Sequence, residues 1–149
     1  MSVELECPVD LVPVNENKIR LIALLVWILA ITFWFTNSKV IIIVLLADFF
    51  LRAFNLQKYS PLAFIAGIIV KQLDIKNKPT DQAPKRFAAR MGFTVILLLL
   101  VFVYFDISIV VNIITLMLIS FSFLESFLGV CVGCYVYTLG LNLQRLFTK

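Results

Sequence analysis

Histidine is absent from the 149 residues. With it go the commonest metal ligand and the one side chain that titrates unaided near neutral pH. That disfavours haem ligation, His-zinc sites and Ser-His catalysis. Charge is scarce as well: 15% of residues are Asp, Glu, Lys or Arg, against about 25% in an ordinary soluble domain. No Gly/Ser linker, low-complexity tract or internal repeat divides the chain, so one domain, 1–149, is expected. No glycine-rich phosphate loop, nucleophile elbow or Walker-type motif occurs, and no cofactor is evident. The 1–16 segment is acidic and lacks the basic start of a secretory leader. What fills the chain instead is apolar: 62% of residues, with a mean hydropathy of +1.02. A soluble domain is nearer half apolar, so the expected solvent is a lipid bilayer. A pI near 9.1 would suit nucleic acid, but the basic residues flank apolar runs. Membrane topology explains them, and no nucleic-acid binding is expected.

Apolar runs at about 19–35, 40–54, 85–105 and 107–128 predict four transmembrane helices in an all-α bundle. Asn15 or Asn17 suits the cap of the first, and Trp34 and Phe35 close it as an interfacial aromatic pair. The turn at 36–39 is too short for anything but antiparallel neighbours, and Asp106 marks a second short turn. Ser60 suits an N-cap and Pro61 the first helical position of a further helix, about 60–73. That stretch is shorter than the roughly 20 residues a span needs, so an interfacial helix is predicted. The segment 74–84 reads as a loop. The last apolar run continues to Leu143, too long for one straight span. Either it projects beyond the bilayer, or it breaks at Gly129 and a new helix begins.

Four spans put both termini and the long middle region on one side. That side holds twelve of the thirteen Lys and Arg, leaving Lys39 on the other. Positive residues favour the cytoplasm, so both termini are expected there.

Cys131 and Cys134 form a Cys-x-x-Cys pair where the last span returns to the cytosolic face, and Cys7 lies on the arm at the same side. A reducing compartment disfavours a permanent disulfide and suits transient or catalytic thiols. Residues three apart share a helical face with about 5–6 Å between β-carbons, near disulfide geometry. A helix starting after Gly129 would put Cys131 in its first turn, where amide dipoles favour the thiolate. The plain alternative is two small residues in apolar packing, with Gly133 allowing close helix contact. Cys7 is expected to assist the pair. Three thiolates with Glu125 could also hold Zn²⁺ or Cu(I). Asp48 and Arg52 stand four apart inside a span, are costly in hydrocarbon and should pair. Glu125 needs a partner too, with Arg52 or Arg90 matching its depth. These residues read equally as a polar pocket below the thiols or as ion pairs fixing helix register. Arg86 and Arg90 could bind an anion or, more simply, lipid phosphate.

Six motifs occur in order: Cys7-Pro8-Val9-Asp10; Asn15-Glu16-Asn17; Asp48-Phe49-Phe50-Leu51-Arg52-Ala53-Phe54; Tyr59-Ser60-Pro61-Leu62; Pro84-Lys85-Arg86-Phe87-Ala88-Ala89-Arg90; and Glu125 with Gly129-Val130-Cys131-Val132-Gly133-Cys134-Tyr135. Together they resemble a bacterial integral-membrane family known only as a domain of unknown function, over nearly the whole chain. The resemblance implies a place in the inner (plasma) membrane. It also implies an association with thioredoxin-like or rhodanese-like sulfur proteins, and hence thiol-disulfide or sulfane-sulfur chemistry. Two other functions stay open: a transporter or permeation subunit for a small sulfur-containing or anionic solute, and a non-enzymatic membrane assembly factor.

Overall fold

A computed structural model of the chain describes residues 13–147. It is helical almost throughout. Helix α1 spans Glu16–Thr36, α2 Lys39–Ala53, α3 Pro61–Gln72, α4 Gln82–Tyr104, α5 Ser108–Phe123 and α6 Val132–Phe147. A single π-helical turn, Leu124–Leu128, extends α5. Among the described residues the strands form one small antiparallel ribbon, β1 (Pro13–Asn15) on β2 (Pro79–Asp81). It was not expected, because both halves lie in segments read as arm and loop. Around it Glu16 N–H donates to Lys78 O at 2.9 Å, Asn17 Nδ2 donates to Lys76 O at 2.8 Å, and Lys78 pairs with Glu16 at 2.9 Å. The ribbon ties the start of α1 to the segment entering α4, so both begin at one end of the bundle.

Local chemistry accounts for the helix ends. Asn15 caps α1, its side chain accepting from Asn17 N–H at 3.1 Å. Ser60 caps α3, accepting from Ala63 N–H at 3.2 Å, and Pro61 opens that helix. Asn37, Asn55, Asp74 and Asp106 all have positive φ. Each lies just beyond a helix, and Asn and Asp tolerate the left-handed region through local hydrogen bonds.

Three helices are long and apolar enough to cross a membrane: Glu16–Thr36, Lys85–Tyr104, and Ser108–Leu128. Helix α2, with 15 residues, is about 22 Å long, less than a hydrocarbon core of about 30 Å. It nevertheless runs between the same two ends of the bundle. Lys39 at its start lines a cavity with Tyr104 and Phe105, and Arg52 near its close lines another with Lys85 and Glu125.

The bundle packs α2 chiefly along α4 and α1 along α5 and α3, with α6 against α4. Ile42 and Leu45 of α2 meet Ile96 and Leu99 of α4 in a fully buried core, flanked by Val26 and Ala30 of α1. The outer surface is apolar too: Phe35, Phe64, Leu97, Ile109 and Leu116 are exposed. Such a surface is foreign to a soluble monomer. In lipid the hydrophobic effect does not drive helices together, so close packing of shapes must.

Candidate functional site

The site begins at the helix break. At Leu124–Leu128 the chain takes the wider π turn, which shifts the helical register at the end of the span. Trp27 of α1 wedges against it, with ring centroids 6.0 Å from Phe123 and 5.8 Å from Phe127. Gly129 then turns left-handed, φ 67°, and Val130 N–H closes the turn on Leu124 O at 3.2 Å. This is how helices commonly stop at glycine. Of the two courses open for the last apolar run, the chain takes the break at Gly129.

A second reason for glycine is the neighbour. The guanidinium of Arg20 lies against Gly129, in the space a β-carbon would fill. Arg20 Nη2 also pairs with Glu16 at 2.9 Å. A cation beside the C-terminal end of a helix is favoured by the carbonyls gathered there.

Cys131 immediately precedes α6, and Cys134 lies in its first turn. The Cys131 carbonyl accepts from Cys134 N–H at 3.0 Å and Tyr135 N–H at 3.2 Å, which is the position of a helix cap. The two thiols lie 2.9 Å apart and are not bonded to each other. The Cys134 thiol hydrogen-bonds to the Cys131 sulfur and so holds the Cys131 thiol below its ordinary pKa. For the same reason the Cys134 thiol is pushed up, and its burial adds to that. Lys85 favours the thiolate at Cys131, while Glu125 and burial oppose it. An N-terminal helical position beside a cation is the usual setting of a reactive thiol.

Helix α6 is held in place by contact with α4. A β-carbon at Gly133 would come within 2.6 Å of Ala88 Cβ and 2.8 Å of Ala88 Cα. The rings of Phe87 and Tyr137 meet at 4.8 Å, tilted by 51°, beside that contact. The same approach brings Lys85, one turn before Ala88, towards the thiols.

Glu125 pairs with Lys85, at 4.0 Å, and not with either arginine expected from depth. Arg52 Nε instead forms an ion pair with Asp48 at 2.9 Å, its guanidinium over the Phe49 ring at 4.2 Å. Arg90 donates Nε–H to Ala53 O at 3.5 Å, at the end of α2. The signal that selects Lys85 was in the sequence. Lys85 lies 21 residues before Asp106 and Glu125 19 after it, whereas Arg90 lies only 16 before. Across a hairpin turning at Asp106, Lys85 is the better match in depth.

Asp48 is completely buried. One oxygen faces Arg52; the other accepts from Ser60 Oγ–H and, at 3.3 Å, from Leu62 N–H. Asp48 therefore anchors the N-terminus of α3 to the interior of α2. These contacts fix the position of α3 against α2. Arg52 alone of the two reaches the shared space, lining a cavity of about 60 Å³ with Gln57, Lys85 and Glu125.

Beyond Glu125 lies a second, mostly apolar cavity of about 190 Å³. Phe49, Ala88 and Glu125 are walls of both. Cys131 borders the larger one, with Met91, Val95, Met117, Phe121 and Ser122. Arg86 is half-buried at the same end of α4. Cys7 lies outside the described residues. Among the described residues no three Cys, Asp or Glu gather as metal ligands would. Arg20 was not foreseen as part of this region, since its neighbour Gly129 is remote in sequence.

Comparison with protein families matches residues 14–141 to Domain of unknown function (DUF4395). That is most of the chain, which belongs to this family. Comparisons with curated proteins and with solved structures give no match.

Proposed function

We propose that this member of a family of unknown function is a membrane thiol protein, with Cys131 and Cys134 cycling between dithiol and disulfide. One observation carries the reading: two unbonded thiols 2.9 Å apart at the start of a helix, beside Lys85 and Glu125. Two cysteines in simple apolar packing do not need a neighbouring ion pair.

The chemistry is thiol-disulfide exchange. The Cys131 thiolate attacks one sulfur of a partner disulfide, and the partner's other sulfur leaves as thiolate. Cys134, losing its proton, then attacks the Cys131 sulfur and releases the partner fully reduced. The chain ends with a Cys131–Cys134 bond, two electrons poorer. Run backwards, a thioredoxin-like protein recharges it. A rhodanese-like partner would instead deliver sulfane sulfur to Cys131. Cys7 acts as an accessory thiol in either case. Arg52 and the Glu125–Lys85 pair shape the pocket, and Arg86 and Arg90 meet anionic groups at the membrane surface.

The topology proposed is four spans with α3 at the interface, both termini cytoplasmic, in a bacterial plasma membrane. The asymmetry of Lys and Arg supports this orientation. Helix α2 joins as the fourth span by running between the same ends as its neighbours, despite its 15 residues.

The test is mild oxidation of the purified, reduced protein followed by mass spectrometry of the cysteines. A Cys131–Cys134 disulfide that thioredoxin reduces is expected. The proposal fails if both positions stay as free thiols under oxidant, or if Cys131→Ser and Cys134→Ser leave the thiol titration unchanged.

A further inference from the structure

The larger cavity has a feature that thiol exchange with a soluble protein leaves unused. Most of its lining comes from the membrane-crossing parts of α4 and α5, with Met91, Gly92 and Val95 on one side and Met117, Leu118, Phe121 and Ser122 on the other; the start of α6 completes it. On α4 and α5, Met91, Met117 and Phe121 are each exposed on the outer surface, from 38% to 45%. The rim therefore opens sideways, at a depth where the surroundings are acyl chains. Cys131 closes the inner end, buried from the outside yet lining the cavity.

What fits must be lipid-soluble, because the rim lies within the spans. It must also be small at its reactive end. An apolar cavity of about 150 Å³ takes up benzene, so about 190 Å³ holds one substituted six-membered ring, any tail remaining in lipid. At the inner end it meets a dithiol, which offers two electrons and two hydrogens together. An apolar ring that accepts two electrons and two hydrogens is a quinone.

We propose that the cavity between α4, α5 and α6 is a lateral entry site for a membrane quinone, which oxidises the Cys131–Cys134 dithiol. This rests on the thiol reading above. The step balances without another reactant. Two S–H bonds break, one S–S bond forms, and the two electrons and two hydrogens convert both quinone carbonyls to hydroxyls. Glu125, at the wall shared with the polar cavity and 4.0 Å from Lys85, is placed to pass a proton between Cys131 and the quinone oxygen.

The experiment uses the whole reduced chain in lipid nanodiscs under argon. The oxidants are duroquinone, whose ring is fully methylated and resists thiol addition, and water-soluble diamide. One quinol per chain with a Cys131–Cys134 disulfide is expected from duroquinone, and none from Cys131→Ala. Val95→Phe and Met117→Trp, which fill the cavity from opposite walls, should each lower the duroquinone rate at least tenfold relative to that variant's own diamide rate. If diamide yields the disulfide but duroquinone yields no quinol, the quinone proposal is overturned while the thiol reading stands. If both variants keep the wild-type ratio of rates, the cavity is not the route and the proposal is likewise overturned. If neither oxidant yields the disulfide, the thiol reading falls and the quinone proposal with it.

Discussion

Arg20 and Gly129 share one space: the guanidinium lies where a β-carbon on the glycine would have to be. Gly129 is also left-handed, φ 67°. Two separable costs therefore meet at one residue. Any L side chain in that backbone region loses about 1–2 kcal/mol, and it must also displace Arg20 from Glu16. Gly129→Ala should lower thermal stability in detergent by more than the backbone cost alone. Combining it with Arg20→Ala should recover the steric part and leave the backbone part. A double-mutant cycle measures this directly. Strict additivity of the two changes would show that they do not compete for space.

The thiol pair makes a prediction about pH. Hydrogen bonding from Cys134 is the main cause of the lowered pKa at Cys131, with Lys85 adding to it and Glu125 opposing it. Alkylation needs the thiolate, so wild-type Cys131 should react at a pH where an ordinary thiol, pKa about 8.5, is still protonated. Cys134→Ala removes the donor and should move the midpoint of the alkylation profile upward. Lys85→Met should move it the same way, and Glu125→Gln the opposite way. Iodoacetamide labelling across pH, read by peptide mass spectrometry, checks all three. A midpoint that does not move in Cys134→Ala would refute the assigned cause.

Asp48 should behave as a structural residue. It is fully buried, faces Arg52, and accepts from Ser60 Oγ–H and Leu62 N–H. Breaking a buried pair from one side typically costs about 3–5 kcal/mol, and losing a helix cap about 0.5–2 kcal/mol. Asp48→Asn should therefore destabilise more than Ser60→Ala, and both should spare the pH profile of Cys131 in whatever protein folds. Melting in detergent ranks the two. A greater loss from Ser60→Ala would reverse the assignment.

Sequence legibility followed the range of the interactions. Ser60-Pro61 and Asn15 announce helix starts because a cap is made within three residues. Gly129 could be named as a possible break because glycine enters the left-handed region without steric cost. Glu125 pairs with Lys85 rather than Arg52 or Arg90 because a hairpin turning at Asp106 brings positions about equally far from the turn together. The β1–β2 ribbon left no trace: three residues pairing with three others 64 to 68 positions away have no periodicity to read. Ser60 was legible as a cap but not as a partner of Asp48, since that contact needs α2 and α3 already folded together. Nor could the cavity beside Cys131 be read, because its walls form only when α4, α5 and α6 pack side by side.

Gly133 and Gly140 give a paired test of how α6 is held. Gly140 lies in the interior of α6 and Gly133 in its first turn; in a helix interior alanine is normally better than glycine by about 1 kcal/mol, and less at the end. At Gly140 nothing lies within 4 Å of a new β-carbon, so Gly140→Ala should gain stability and leave the thiols as they are. At Gly133 the new β-carbon would meet Ala88 Cβ at 2.6 Å and Ala88 Cα at 2.8 Å. One of those atoms is backbone and neither can swing aside, so α6 must move away from α4. The helical gain is then outweighed, and Cys134, next to Gly133, is carried away from Lys85. Gly133→Ala should form the Cys131–Cys134 disulfide more slowly under mild oxidant and raise the pH midpoint of Cys131 alkylation. If it matched Gly140→Ala in stability and in thiol behaviour, the α4–α6 contact would not be what positions the pair.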